Sequence, residues 1–195
     1  MKVTERDTSF FCFEFQFFPF NKRNFREMIK SILVINNQGK IRLSKFYVPL
    51  TEEQQQSVVR EIFSVLNRRS ERACNFVDMT GDVLALLGGD GSRIVYRHYA
   101  TLYFAFVVDQ SESELGTLDL IQVFVEALDR CFENVCELDL IFHLDKIHFV
   151  LDEIIHGGLV NEMQLDAIHA SLVEQKKISD SAKEAKPTSL GKTRL

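Results

Sequence analysis

Short turns between strand-like segments are the feature of this sequence that most restricts its fold. The apolar run from Ile29 to Ile35 ends at the turn-forming sequence Asn36-Asn37-Gln38-Gly39, and a second strand is predicted from Ile41 to Val48. Two strands joined by so short a turn must pair antiparallel. Three more extended segments are predicted downstream: Asn75 to Met79, with a continuation through Val83 to Leu87 left open, Arg93 to Tyr99, and Leu102 to Val108.

Helical periodicity separates and follows these strands. Thr51 and Gln54 have the spacing of a capping box, and Ser111 and Glu114 repeat that spacing ahead of a strongly amphipathic segment. Two later helices are predicted, one that carries Leu144 to Ile155 and stops at Gly157-Gly158, and one that opens near Asn161. This order of elements predicts an α+β domain in which helices flank a mainly antiparallel sheet.

Composition divides the 195 residues into three parts. Residues 1–27 are rich in phenylalanine, and exposed runs of this kind promote aggregation, so we interpret them as a poorly ordered N-terminal extension. Residues 28–176 carry the regular strand and helix patterns of one domain. Residues 177–195 are rich in Lys, Ser and Ala and cannot bury a core, which predicts a disordered C-terminal tail.

Charge and cysteine content exclude several classes of protein. The 28 acidic and 23 basic residues give a net charge of -5, unlike the basic surface of a nucleic-acid-binding domain. The longest apolar runs are far shorter than the roughly 20 residues of a membrane-spanning helix, so we expect a soluble protein. The cysteines lie in apolar segments without metal-ligand spacing, which favours the reducing cytosol over a disulfide framework or a zinc site: Cys12, Cys74, Cys131 and Cys136.

No group of residues in the sequence predicts catalysis or a cofactor site. The segment Gly88-Gly89-Asp90-Gly91 lacks the Lys-Ser/Thr of a phosphate-binding loop and fits a hairpin turn. His143 and His148 are five residues apart, so they would not share a helix face as zinc-binding histidines four apart do. We therefore expect a non-enzymatic protein without a cofactor or a metal.

Two stretches, Tyr99 to Val108 and Phe132 to Phe142, are more continuously apolar than a small half-exposed domain requires. Another chain could bury the surplus apolar surface. Alternatively, a core on both faces of the sheet could absorb it. Periodicity favours both interpretations equally.

Three long blocks of the sequence closely resemble the small (sigma) subunits of clathrin-type adaptor complexes. In chain order the blocks are Gly39 to Tyr47 (GKIRLSKFY), Tyr96 to Phe104 (YRHYATLYF) and Phe132 to Phe142 (FENVCELDLIF). Within that family, Ser111 to Gly116 and Leu118 to Glu126 resemble the sigma subunits of the third adaptor class. The resemblance spans roughly residues 28–175, and family members commonly begin at the position of Met28.

The resemblance implies a longin-like fold with a five-stranded antiparallel sheet between helices. It also implies a heterotetramer in which the chain pairs directly with a large delta-type chain, beside a beta-type large chain and a medium (mu) chain. Such complexes act peripherally on Golgi, endosomal and vesicle membranes and carry cargo toward lysosomes or vacuoles. Rival interpretations are a standalone longin-type trafficking regulator and a sigma subunit of another adaptor class.

Sigma subunits of this family help to bind acidic dileucine signals, in which an acidic residue lies a few positions before two bulky aliphatic residues. Such a site needs two apolar pockets beside a positive charge. The resemblance implies that Arg42 attracts the acid and that the pockets are lined by Ala100, Leu102, Val125, Asn134, Val135 and Leu140. The alternative is that Val125 and Leu140 are ordinary core residues and that Arg42 only solvates a strand edge.

Overall fold

The computed structural model describes residues 28–70, 72–79, 86–87 and 91–184. The phenylalanine-rich extension, most of the glycine-rich turn and residues 185–195 lie outside the described residues. Predictions that concern those segments stay predictions.

A five-stranded antiparallel sheet organises the described part of the chain. Its spatial order is β2-β1-β5-β4-β3, so the central strand β5 pairs with its neighbour in sequence, β4, and with β1 from a distant part of the chain. The strands are β1 (Ile29–Asn36), β2 (Ile41–Phe46), β3 (Phe76–Asp78), β4 (Arg93–Tyr99) and β5 (Leu102–Val108). A small hairpin pairs β6 (Ile155–His156) with β7 (Leu159–Val160).

Five described helices accompany the sheet, and they pack on its two faces. They are α1 (Glu52–Asn67), α2 (Glu114–Phe132), α3 (Glu137–Phe142), α4 (Leu144–Ile154) and α5 (Leu165–Glu184). Val58 and Ile62 of α1 form a core with one face of the sheet. Residues of α2, α3, α4 and α5, among them Ile121, form a second core with the other face. The predicted α+β class with a five-stranded antiparallel sheet is confirmed.

Burial on both faces of β5 decides between the two interpretations of its apolar run. Phe104 and Phe106 belong to the core under α2, whereas Ala105 and Val107 belong to the core under α1. A two-sided core therefore absorbs this stretch, and no partner chain is needed to explain it. The stretch Phe132 to Phe142 behaves differently, because much of it remains exposed.

Several predicted boundaries of strands and helices were wrong by a few residues. Strand β2 ends at Phe46 and does not reach Val48. The continuation of β3 to Leu87, which the sequence left open, is not found at Leu86 and Leu87, which are not in a strand, and residues 80–85 lie outside the described residues. Helix α2 is capped by Ser113, whose side chain accepts from the Gly116 amide 3.2 Å away, whereas the Ser111 hydroxyl bonds to Asp109. The Thr51 capping box is confirmed.

The C-terminal third departs most from the sequence-based expectation. Helix α3 was not predicted. Helix α4 ends at Ile154, and Gly157-Gly158 forms the turn of the β6–β7 hairpin instead of a helix stop, with φ angles of 58° and 80°. Helix α5 begins at Leu165 and continues to Glu184, so the predicted domain boundary at residue 177 falls inside it.

Candidate functional site

Four of the predicted pocket residues belong to, or pack against, the core beneath α2. Leu102 and Leu140 are buried, with 8% and 1% of their surfaces exposed. Val125 on α2 and Val135 before α3 are half-buried and pack against that same core. The structure therefore brings these apolar side chains to one side of the sheet, where the two leucines are buried and the two valines are half-buried.

Ala100 and Asn134 lie in exposed turns, and both have backbone angles in the left-handed region. Ala100 has φ 51° in the two-residue turn between the paired ends of β4 and β5. Asn134 has φ 84° and follows the C-cap of α2, Glu133, which has φ 53°. Left-handed backbone suits asparagine and costs alanine roughly 1–2 kcal/mol. At both positions the turn geometry keeps the side chains at the surface.

Arg42 on β2 forms an ion pair that the sequence did not predict. Its Nε and Nη2 atoms each lie 2.8 Å from the Oε1 atom of Glu137, the first residue of α3. The two side chains are 17% and 28% exposed, so the pair sits at a partly covered surface. Arg42 therefore does more than solvate a strand edge.

Glu137 joins the parts of the chain that carry the predicted site. Besides Arg42, it accepts hydrogen bonds from Asn36 Nδ2 at the end of β1 and from Thr101 Oγ1 in the β4–β5 turn, each 3.1 Å away. Hydrogen bonds from Arg42, and less strongly from Asn36 and Thr101, hold the pKa of the Glu137 carboxyl below its ordinary value, against the opposing effect of burial. The carboxylate thus places Arg42 beside the turn that contains Ala100.

Sequence reasoning missed Glu137 because its partners are far away along the chain. Arg42 is separated from it by 95 positions and Asn36 by 101. An acidic residue at the start of a helix is explained locally by the helix dipole, so its sequence context gives no sign of a distant cation.

The second apolar stretch that the sequence analysis singled out, Phe132 to Phe142, contributes most of a set of exposed apolar side chains on α3 and at the start of α4. We call this set the α3–α4 face; it consists of Leu138, Ile141, Phe142 and Leu144, which are 60%, 43%, 74% and 44% exposed. A cluster of large apolar side chains at the surface is typical of a protein interaction site. The apolar surplus of the Phe132 to Phe142 stretch therefore lies largely here.

A groove of about 660 Å³ lies elsewhere, where the end of α2 meets α4 and α5. Arg130, Lys146 and His169 are among its lining residues, and none of the predicted pocket residues is. Within the described residues, no group of His, Cys, Asp and Glu side chains could hold a metal ion. Among the helices of the described residues, none is long and apolar enough to cross a membrane.

Comparisons with known proteins identify one family. The model of the clathrin adaptor complex small chain matches residues 28–179. The AP-3 complex subunit sigma of Dictyostelium discoideum is 56% identical over 151 residues, covering 77% of this chain and 87% of that protein. The AP-3 complex subunit sigma-2 of Homo sapiens is 54% identical over 154 residues, covering 79% and 78%. The AP-3 complex subunit sigma of Arabidopsis thaliana is 50% identical over 151 residues, covering 77% and 88%.

A structural comparison agrees with the sequence comparisons. A chain of the structure described as a homology model of the full-length AP-3 complex in a stretched open conformation superposes with a TM-score of 0.61 and 38% sequence identity. The match covers 80% of this chain and 98% of that chain.

Proposed function

The chain belongs to the small-chain family of clathrin adaptor complexes, and we propose that it is the sigma subunit of an AP-3 complex that recognises acidic dileucine signals in cargo tails. The observation that carries this proposal is the match to AP-3 sigma subunits at 50–56% identity over about three quarters of the chain. Members of this family take part in vesicle transport by binding other proteins, and we assign the chain no catalytic step.

The α3–α4 face supports the proposal that the chain works inside a larger assembly. Phe142 leaves 74% of its surface exposed, and burying it against a partner would be favourable. We propose a large delta-type chain as the direct partner, with a beta-type large chain and a medium chain completing the heterotetramer. The structural likeness to a chain of an AP-3 complex supports this assignment.

The arrangement of the predicted pocket residues supports binding of an aliphatic pair. Val125 and Val135 present partly exposed apolar surface and pack against the same core as the buried Leu102 and Leu140. A cargo leucine resting on the two valines would bury apolar surface at about 25 cal/mol per Å². The exposed turns at Ala100 and Asn134 would border the bound peptide, and the small alanine side chain would leave room for it.

Charge near these apolar residues supports recognition of the acidic part of the signal. Arg42 contacts Glu137, which also contacts Thr101 next to Ala100, so the guanidinium lies on the side of the site where the β4–β5 turn ends. A carboxylate on the cargo would accept hydrogen bonds from guanidinium N–H groups. The large chain would add further positive charge.

We propose that the assembled complex acts on Golgi, endosomal and vesicle membranes as a peripheral component. It would sort cargo from these compartments toward lysosomes or vacuoles. In this role the small chain contributes a peptide site, and its partners provide the contact with the membrane.

Peptide binding to the recombinant heterotetramer tests the cargo part of the proposal. The probe is a fluorescent peptide with one Glu a few residues before a Leu-Leu pair, and the control peptide carries Ala-Ala in place of Leu-Leu. We expect saturable binding of the first peptide and at least about tenfold weaker binding of the second, because both pockets lose their aliphatic ligand. Equal binding of both peptides would contradict a dileucine site.

A further inference from the structure

Arg42, the cation that the proposed site offers to a cargo acid, already forms an ion pair with Glu137. The Oε1 atom of Glu137 accepts a hydrogen bond from Nε of Arg42 and forms an ion pair with Nη2, each over 2.8 Å. The two residues carry opposite unit charges, so the pair is neutral overall. A cargo carboxylate that approaches Arg42 therefore meets a cation whose charge is compensated within the protein.

Neighbouring donors hold Glu137 in this position from two other sides. Asn36 Nδ2 donates to Oε1 and Thr101 Oγ1 donates to Oε2, each over 3.1 Å. Turning the carboxylate away from Arg42 would break both hydrogen bonds and would leave the amide of the buried Asn36 without this acceptor, which is unfavourable. We expect Glu137 to stay paired with Arg42 while a peptide binds.

The pairing leaves one edge of the guanidinium for a ligand. Contacts to Glu137 use Nε and Nη2, and among the described residues Nη1 makes no hydrogen bond to protein. A cargo carboxylate could thus accept from Nη1, but it would also be repelled by Glu137 on the opposite edge. Its net electrostatic gain is smaller than that from an unpaired arginine.

We propose that Glu137 is a specificity-determining residue that limits how much the acidic residue of a cargo signal adds to binding. The inference rests on the proposed function and deepens it. With Arg42 compensated, the apolar pockets supply most of the affinity, and peptides with a neutral residue at the acidic position remain ligands. For the same reason, other anions gain little binding free energy from Arg42.

The variant Glu137→Gln tests this role with almost no change in shape. A glutamine keeps an Oε1 acceptor for Arg42 and Asn36, and its amide can donate to the Thr101 hydroxyl. The variant removes one negative charge near the cargo acid. We expect the Glu-containing peptide to bind about threefold more tightly, the factor for one unit charge about 6 Å away, across the guanidinium, in a water-like dielectric. We expect a matched peptide with Gln at that position to bind as before.

A matched control separates this local effect from a change in net charge. Asp152 on α4 forms an ion pair of 2.7 Å with Lys45, which lies on the same strand as Arg42. The variant Asp152→Asn changes the net charge of the protein by the same amount as Glu137→Gln. It should leave the ratio between the affinities for the two peptides at its wild-type value, because screening at physiological salt weakens interactions beyond about 8 Å.

The experiment measures the affinity of both peptides for the assembled heterotetramer in its wild-type, Glu137→Gln and Asp152→Asn forms. The inference is supported if the affinity for the Glu-containing peptide, divided by that for the Gln peptide, rises in Glu137→Gln and does not rise in Asp152→Asn. An unchanged or lower ratio, or an equal rise in both variants, overturns it. If the wild-type complex binds neither peptide, the proposed function itself fails, which is a different result.

A second variant keeps the test decisive if Glu137→Gln does not assemble. Glu137→Asp keeps the charge but withdraws it from Arg42 by one methylene group, which weakens the pair. We expect the affinity ratio to rise above the wild-type value, by less than in Glu137→Gln. A ratio at or below the wild-type value would overturn the inference in this variant as well.

Discussion

Replacing Val125 with Asp gives the sharpest prediction for the proposed peptide site. Val125 lies on α2 and packs against the core that contains Leu102 and Leu140, but it is only half-buried. The uncovered part of its side chain is therefore available to a ligand. In Val125→Asp, a carboxylate stands where the aliphatic side chain of the cargo would rest.

The expected loss of affinity follows from two contributions. Removing the contact between Val125 and a cargo leucine forfeits the burial of about two methyl-sized groups, or roughly 1.5 kcal/mol. Covering the new carboxylate with a leucine adds a desolvation cost of at least about 2 kcal/mol. The sum of about 3.5 kcal/mol corresponds to several hundredfold weaker binding.

The assay titrates the fluorescent dileucine peptide with wild-type and variant heterotetramer, and size-exclusion chromatography measures assembly in the same samples. Val123 provides a matched control, because it is also a half-buried valine of α2 that packs against the same core. Two positions along a helix point to different sides, so Val123→Asp should spare the peptide site. Each variant should lose about 1 kcal/mol of folding free energy, since half a valine side chain is uncovered.

Two results would refute this reasoning. If Val125→Asp loses assembly with the large chain to the same extent as peptide binding, Val125 is simply a core residue. If Val123→Asp weakens the peptide as much as Val125→Asp does, the effect comes from a general disturbance of α2.

Three further predictions concern other parts of the chain. Phe142→Ser should change the melting temperature little, because Phe142 is 74% exposed. It should weaken assembly with the large delta-type chain at least about tenfold in a pull-down titration, and unchanged assembly would exclude this residue from the interface. Thr51→Ala should cost about 1 kcal/mol of unfolding free energy in denaturant titrations, because it removes the capping box of α1, and a loss near zero would contradict that role. Because the folded-state pKa of Glu137 lies below its ordinary value of 4.5, its ion pair stabilises the fold above that pH and the contribution is lost as the pH falls through the lowered pKa. The stability difference between wild type and Glu137→Gln should therefore shrink below about pH 4.5, and a difference that grows in acid would show the opposite sign.

Features with a local cause could be predicted from the sequence. The turn at Asn36-Asn37-Gln38-Gly39 and the capping box at Thr51 depend on residues a few positions apart, and both occur as expected. Strands β4 and β5 have their predicted bounds. The predicted cap of α2 was wrong because two serines compete for that position. Ser111 and Ser113 are both favourable N-cap residues, and in the folded chain Ser111 bonds to Asp109 while Ser113 caps the helix.

Features with a distant cause could not be predicted in this way. Gly157-Gly158 fits both a helix end and a hairpin turn, and the pairing of Ile155 with Val160 selects the turn. The Arg42–Glu137 pair joins residues 95 positions apart, and no periodic pattern in the sequence indicates that they are in contact. For the site, the resemblance supplied the residues, whereas the burial of Leu140 in the core against which Val125 and Val135 pack required the packed structure.

Affinity purification of the native chain from cell lysate, followed by quantitative mass spectrometry, tests the central claim most directly. We expect two large chains and one medium chain of an AP-3 complex to co-elute with the chain in equal amounts. Recovery of the chain alone as a monomer, both with and without residues 1–27, would contradict the claim that it is a subunit of such a complex. That result would instead favour a standalone longin-type regulator.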